Sequence, residues 1–272
     1  MTAQLQAVFN QRSYKTAVAY SINNDLQVSN GKKFIEIAGV QNGDKILDMG
    51  CGTGELTSFL AEIVGRDGQV VGVDPDIGRI EYAKQKHLSL HENLVFENGD
   101  SSTEFHQRSK SYYDVHFSSF VFQWLSPERK EEYARVAFES LKHGGIIALQ
   151  SHEVDPQLIT KANEMIFCTP NLVLKKKHKE NEKAVPFFIK KFEVEGLLKK
   201  CGFEILSSDY HTVNYQHKSI LDFLNYLVAS DYHDGKVISP IGLESFSEIF
   251  VNNDGSVDYV DPTAYQILAQ KI

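Results

Sequence analysis

The chain has 272 residues, 42% of them hydrophobic and 24% charged, an ordinary globular composition that excludes wholesale disorder and is long enough to bury a core. Its 36 acidic residues outnumber 28 basic ones for a formal charge of −8, which argues against a nucleic-acid or anionic-membrane partner, because such partners want a basic face. Three cysteines (Cys51, Cys168, Cys201) are too few and scattered for a disulfide framework or a metal cluster, and no apolar stretch approaches the roughly 20 residues that span a bilayer.

In chain order, MTAQLQAVFNQRSYK at the N-terminus carries no secretory pattern, and a cytoplasmic protein with no metal is expected. Residues 1–43 look helical and amphipathic. KILDM (45–49) predicts a buried strand, and GELTSFLAEIVG (54–65) a helix, with Leu56, Phe59, Leu60 and Ile63 at helical spacing. QVVGVD (69–74) is a second strand, and DIGRIEYAKQKH (76–87) a helix opened by Asp76. LVFENGD (94–100) and YYDVHFSS (112–119) follow as strands three and four. SPERKEEYARVAFESLK (126–142) is a helix with Ser126 as N-cap and Pro127 in its first turn, stopped by Lys142-His143-Gly144-Gly145. GGIIALQS (144–151) is the fifth strand. Beyond it, 203–214 and 256–271 predict two more strands, with helices around 217–229 and 242–250 between them. Strands alternating with helices imply right-handed crossovers and a doubly wound, Rossmann-like α/β sheet. No linker interrupts the chain. A single domain over 1–272 is expected, with a lid at 1–43, a core at 44–151, and sheet completion plus a cap at 152–272.

The segment Ile46-Leu47-Asp48-Met49-Gly50-Cys51-Gly52-Thr53-Gly54 joins the first strand to its helix in a G-x-G-x-G spacing. Glycines there let the backbone approach a ligand, and the helix start offers free N–H groups. A dinucleotide loop would read G-x-G-x-x-G. The acid Asp48 suits instead a cationic or zwitterionic ligand, such as the amino-acid end of S-adenosylmethionine. Asp74, ending the second strand, is placed for ribose hydroxyls, and Asp100, in Asn98-Gly99-Asp100-Ser101, for an exocyclic adenine amine. Each acid alone reads as a helix N-cap, but three at consecutive strand ends point to one crevice.

ILDMGCGTG, VVGVD, NGD, YYDVHFSSFVFQWL and LKHGGIIAL together resemble the class I S-adenosylmethionine-dependent methyltransferases over about 40–151. The resemblance implies a seven-stranded sheet with its last strand antiparallel. It implies that Asp48, Gly50, Cys51 and Gly52 line the methionine moiety, Asp74 and Pro75 the ribose, and Asp100 the adenine. Ser101, Ser118 and Phe120 are further expected cofactor contacts. The Cys51 thiol itself is assigned to packing, since nothing nearby supplies a thiolate partner.

Tyr20-Ser21-Ile22-Asn23-Asn24-Asp25-Leu26-Gln27 and Phe122-Gln123-Trp124-Leu125 resemble the juvenile hormone acid O-methyltransferases and, more loosely, the trans-aconitate methyltransferases. In the former, glutamine and tryptophan hold the substrate carboxylate, which here implies Gln27 and Trp124. Both side chains donate, and an ionised carboxylate needs no base, only alignment and exclusion of water. His116 reads as a core histidine. His152, past the fifth strand, reads equally as core or as a base for a phenol or amine, and Glu153 and Asp155 would matter for a basic acceptor. The aromatic residues after 151 suit an apolar acceptor but are more simply helix packing, and the run Lys175–Lys179 is more simply a solvated surface. A small-molecule acceptor and a monomer or homodimer are expected. The alternatives are N- or C-methylation of another metabolite, or a non-catalytic S-adenosylmethionine-binding protein.

Overall fold

The computed structural model describes residues 14–101, 110–167, 186–230 and 238–272. Cys168, Leu172, the basic run at 175–179 and the first thirteen residues of the expected lid lie outside them.

Seven strands form one sheet: β1 (Lys45–Met49), β2 (Gln69–Asp74), β3 (Leu94–Asn98), β4 (Tyr113–Ser119), β5 (Leu141–His152), β6 (Phe203–His217) and β7 (Val257–Lys271). Their order is β3-β2-β1-β4-β5-β7-β6. The first five pair in parallel, and β7 runs antiparallel to both β5 and β6. This is the doubly wound sheet with an antiparallel final strand expected from the sequence.

Both faces are covered, which is why β1 and β2 read as unbroken apolar runs. Side chains alternate across the strands. Leu47, Met49, Val71 and Val73 pack on one face with Tyr133, Val136 and Ala137 of α4 (Pro127–Ser140). Ile46 and Val70 pack on the other with Phe34 of α1 (Asp25–Ala38) and Leu60 of α2 (Glu55–Val64). A third cluster lies above the carboxyl edge and joins α5 (Gln157–Met165), α7 (Ile220–Ala229) and α8 (Pro240–Phe250) to Val213, Tyr215 and Ala264 of the sheet. The other helices among the described residues are α3 (Ile77–His87), α6 (Lys191–Lys200) and a helical segment over 14–23 that precedes α1.

Local signals set most boundaries. Asp76 caps α3 by accepting from the Arg79 N–H at 3.0 Å, and Ser126 caps α4 with Pro127 in its first turn. The third strand ends at Asn98, short of the expected Asp100, the strand expected over 203–214 runs on to His217, and the boundary after α4 also differs. The helix expected to run to Lys142 ends at Ser140, and the fifth strand begins at Leu141, before the glycine pair. Leu141 is fully buried and pairs with Tyr113, and the register then shifts before Ile146 meets Val115. Burial of Leu141 outweighs the stop signal, and Gly144, at φ 81°, absorbs the irregularity.

Candidate active site

A cavity of about 520 Å3 opens where β1, β2, β4 and β5 end, the position at which open α/β sheets bind ligands. Gln27, Asp48, Gly50, Cys51, Gly52, Asp74, Pro75, Asp100, Ser101, Phe120, Trp124 and His152 all line it. Ser118 does not. It is fully buried within β4, and Ser119 and Phe120 reach the cavity instead. The chain turns into the cavity only past the strand's end, where Phe120 adopts φ 56° and its N–H is held by the Gln150 carbonyl at 2.9 Å. A bulky residue in that left-handed conformation is strained.

The glycine loop is shaped from beneath. The N–H groups of Gly50 and Cys51 both donate to the Val73 carbonyl, at 2.7 and 3.0 Å, tying β1 to β2. Gly50 has φ 88°, and a Cβ there would stand 2.2 Å from Val121. Gly52 has φ 56°, and its absent Cβ would meet nothing nearer than Tyr20 at 3.9 Å. The loop thus presents bare backbone to the cavity, a cradle that side chains would fill.

The three acids are held differently. Asp74 is buried and accepts from the Gly52 N–H at 3.0 Å and the Asp76 N–H at 2.9 Å. Burial pushes its carboxyl up, against the pull of Arg79 and those two donors. Asp48 accepts from the Thr57 hydroxyl at 2.7 Å. Burial, opposed by Thr57 and reinforced by Asp74, pushes it up to about 7, so it is poised to ionise beside a cation. Asp100 forms a salt bridge with Arg129 at 2.7 Å. Burial also pushes the Cys51 thiol up, which keeps it neutral and suits packing. These groups fit S-adenosylmethionine: bare amides and a titratable acid for an amino-acid end, and carboxylates for hydroxyl and amine donors.

The rest of the cavity comes from side chains the sequence reading left without a role. Asn24 donates to Thr53 at 3.3 Å, fastening the N-terminal helices to the loop, and the Arg79 guanidinium lies 4.9 Å over the Tyr20 ring. Tyr133, Tyr215, Tyr226 and Ser230 add to the lining. Tyr20 and Asn24 lie within the quoted motif and Tyr226 among the aromatic residues after 151; Arg79, Tyr133, Tyr215 and Ser230 carry no local signal.

Trp124 sits on a turn of 3-10 helix (Phe122–Trp124). That turn is strapped down by Lys130, a buried lysine whose Nζ donates to the carbonyls of Leu125 and Phe187. Burial pushes the Lys130 amine down to about 8. The Phe187 N–H in turn donates to the Gln123 carbonyl at 2.6 Å. The Oε1 of Gln27 is buried and has no hydrogen-bond partner among the described residues, an unmet acceptor beside the cavity.

His116 is a fully buried core histidine that shares a 2.9 Å hydrogen bond with the Tyr133 hydroxyl, and burial pushes it down to about 3. His152 differs. Its ring stacks on Phe120 at 4.7 Å, its Nδ1 lies 2.6 Å from Asp261 Oδ2, and its Nε2 lies 3.2 Å from the Tyr215 hydroxyl. Asp261 is 1% exposed. Burial works to raise its carboxyl, but His152 and Thr263 outweigh that and hold it low. Glu153 accepts from the Tyr210 hydroxyl at 2.6 Å and the Lys191 N–H at 3.0 Å, outside the cavity lining. Among the described residues no cluster of metal-ligating side chains is gathered, and no helix is long and apolar enough to cross a membrane.

Comparison with known proteins agrees with this geometry. The family described as "Methyltransferase domain" matches residues 46–145. A ubiquinone/menaquinone biosynthesis C-methyltransferase of Pseudomonas paraeruginosa is 29% identical over 160 residues, 55% of this chain and 60% of that protein. Protein 235L of Invertebrate iridescent virus 6 is 31% identical over 107 residues, 39% of this chain and 37% of the relative. The chain therefore spans well under two thirds of these relatives. Among solved structures, an S-adenosylmethionine-dependent methyltransferase from Aquifex aeolicus superposes with a TM-score of 0.54 at 14% identity, covering 94% of this chain and 98% of that one. The 4+2 cyclase SpnF superposes at 0.56 with 16% identity, covering 90% and 81%. At such identities the likeness is one of fold.

Proposed function

From the premise that this is a class I S-adenosylmethionine-dependent methyltransferase, we propose that the chain transfers the cofactor's methyl group to a small organic molecule held in the same cavity. The supporting observation is that one cavity joins the glycine loop and strand-tip carboxylates to an aromatic chamber of Phe120, Trp124, Tyr215 and Tyr226. A cavity of that size suits a small ligand. In this assignment Gly50, Cys51 and Gly52, with Asp48, take the amino-acid end of the cofactor. Asp74, beside Pro75, takes the ribose with the lone pairs its two backbone donors leave over. Asp100 and Ser101 take the adenine. When bound, the sulfonium supplies an electrophilic methyl group; the protein aligns the acceptor and excludes water. The lid, core and cap division expected from the sequence belongs to the same proposal, with the cap framing the acceptor.

Two readings of the acceptor have support. Gln27 and Trp124 line the cavity, where the resemblance to the juvenile hormone acid O-methyltransferases has them hold a substrate carboxylate, and this supports carboxyl O-methylation of an organic acid. The His152–Asp261 pair favours an acceptor with a proton to lose. A C-methyltransferase among the relatives and a cyclase on the same fold mark how widely such sites diverge, because fold alone does not fix chemistry.

Calorimetric titration with S-adenosylmethionine tests the premise, and turnover on matched panels of carboxylic acids, phenols and amines tests the acceptor. Binding with methylation of at least one panel is expected. Cofactor binding with no transfer to any of them would favour a binding protein over an enzyme.

A further inference from the structure

Asp261 lies far from His152 in the chain and reaches it through an irregularity in β7. In the β6–β7 pairing His211 faces Ala264 and Val213 faces Asp261, so β7 carries one extra residue there, and Pro262 sits inside the bulge. Such bulges re-aim side chains beside active sites, and proline is tolerated in strands at bulges. The bulge turns Asp261 inward beneath His152.

Both Asp261 oxygens are engaged. Oδ2 meets His152 Nδ1 at 2.6 Å, and Oδ1 accepts from the Thr263 N–H at 2.8 Å and its hydroxyl at 2.7 Å. An ionised carboxylate only accepts, so the neutral form of His152 carries its proton on Nδ1 and keeps its lone pair on Nε2. The Tyr215 hydroxyl lies 3.2 Å from that lone pair, within reach to donate to it, and it also hydrogen-bonds the Tyr226 side chain; Tyr215 and His152 both line the cavity. A buried pair of this kind is a weak way to stabilise a fold. Beside a cavity it is a candidate for proton chemistry.

We infer that Tyr215, His152 and Asp261 form a proton relay opening onto the acceptor end of the cavity, and that the acceptor carries an acidic hydroxyl, a phenol or an enol, rather than a carboxylate. This rests on the methyltransferase reading above and narrows its acceptor. The charges around the relay favour it. Asp155 stands close enough to Asp261 to feel its charge, and burial first, then Asp261, push Asp155 up to about 6. The other titratable neighbours include His211, His217, Tyr226 and Tyr259, and none of them brings a fixed positive charge, burial pushing both histidines down. Among the described residues Arg79 is the one lysine or arginine lining the cavity, and it lies over Tyr20 beside the Asp74 carboxylate. A carboxylate acceptor would therefore approach the Asp261 charge with no lysine or arginine beside the relay to receive it and the cofactor's sulfonium as its one cation, whereas a neutral hydroxyl needs no such partner.

In the step itself, the acceptor's hydroxyl proton passes to the Tyr215 oxygen as the Tyr215 proton passes to His152 Nε2. The acceptor oxygen forms its bond to the methyl carbon with its freed electron pair. The carbon–sulfur bond breaks with its pair kept by sulfur, leaving S-adenosylhomocysteine. The imidazolium, held by Asp261, returns its proton to water as the product leaves.

The test uses the full chain with S-adenosylhomocysteine bound and two probes, 4-nitrophenol and decanoate. At a pH below the pKa of the free phenol, bound 4-nitrophenol should show its phenolate absorption band. The band should disappear in Tyr215→Phe, which keeps the ring packing, and in His152→Gln, with thermal melts reporting that both variants fold. With S-adenosylmethionine, methylation of 4-nitrophenol should fall about a hundredfold in His152→Gln, the usual scale of general-base loss. Bound 4-nitrophenol without the band overturns the relay. So does failure of 4-nitrophenol to bind, or decanoate methylated at a rate that His152→Gln leaves unchanged. Failure of the wild-type chain to bind S-adenosylmethionine removes the methyltransferase reading itself, a separate and distinguishable result.

Discussion

The two halves of the cavity are built on opposite principles. In the half made by β1 to β3 the acids are wired into the scaffold: Asp74 to two backbone N–H groups, Asp48 to Thr57, Asp100 to Arg129. The other half is assembled from side chains of distant segments, Gln27, Trp124, His152, Tyr215 and Tyr226, and leaves the Gln27 oxygen unmet. A site that always takes the same ligand can be fixed in advance by the strands. A site that must select a particular molecule is set by segments that vary independently of the sheet. The contrast matches the span of the family match, residues 46–145, which covers the loop and strand-tip acids and leaves Gln27, His152, Tyr215 and Tyr226 outside it.

The largest effect that sharpens this contrast is electrostatic. Asp48 titrates at about 7 when folded, against a usual 3.8. The native state thus keeps a proton that the unfolded chain has already lost between those values, so stability falls as pH rises through that window. At about 1.4 kcal/mol per unit the loss reaches up to roughly 4 kcal/mol. Buried His116, pushed down to about 3, contributes the opposite slope below its usual 6.5, so the test is the difference between the wild type and Asp48→Asn: that difference in denaturant stability should fall from pH 4 to pH 8, and bound S-adenosylmethionine should oppose the fall by favouring the carboxylate.

Next in size, Asp74→Ala should weaken S-adenosylmethionine binding at least a hundredfold, about 3 kcal/mol, because two backbone donors lose their partner along with the ribose. Calorimetry with unchanged affinity would remove Asp74 from the cofactor site.

Smaller, and confined to the other half, is Lys130→Met. It releases the Leu125 and Phe187 carbonyls and loosens the turn bearing Trp124, so the acceptor KM should rise about tenfold, or roughly 1.4 kcal/mol. The cofactor Kd should not change; a parallel loss of cofactor affinity would show that the halves are not separable.

Smallest is Gln27→Leu. Removing a buried acceptor without a partner should stabilise the ligand-free chain by about 1 kcal/mol while weakening acceptor binding. A destabilised variant would mean that Gln27 serves the fold.

The same division governs what the sequence discloses. The glycine loop and the acids at 48, 74 and 100 are legible because each lies at the end of a short apolar run whose direction follows from local periodicity. Ser118 shows the limit of that logic: it stays inside β4, and the turn that reaches the cavity depends on a strained Phe120. The end of α4 misleads in the same way, because burial of Leu141 overrides a local stop signal. Asp261 and Tyr215 are illegible from spacing. They meet His152 and the cavity only after the antiparallel strands pair and a bulge at Pro262 turns one carboxylate inward.

The most direct test of the whole account is a crystal structure of the chain grown with S-adenosylhomocysteine. The account predicts the ligand's amino-acid end over Gly50 and Gly52, its ribose against Asp74, its base near Asp100 and its sulfur turned toward Trp124 and Tyr215. A ligand seated elsewhere on the molecule, or one whose ribose stands away from Asp74, would contradict it.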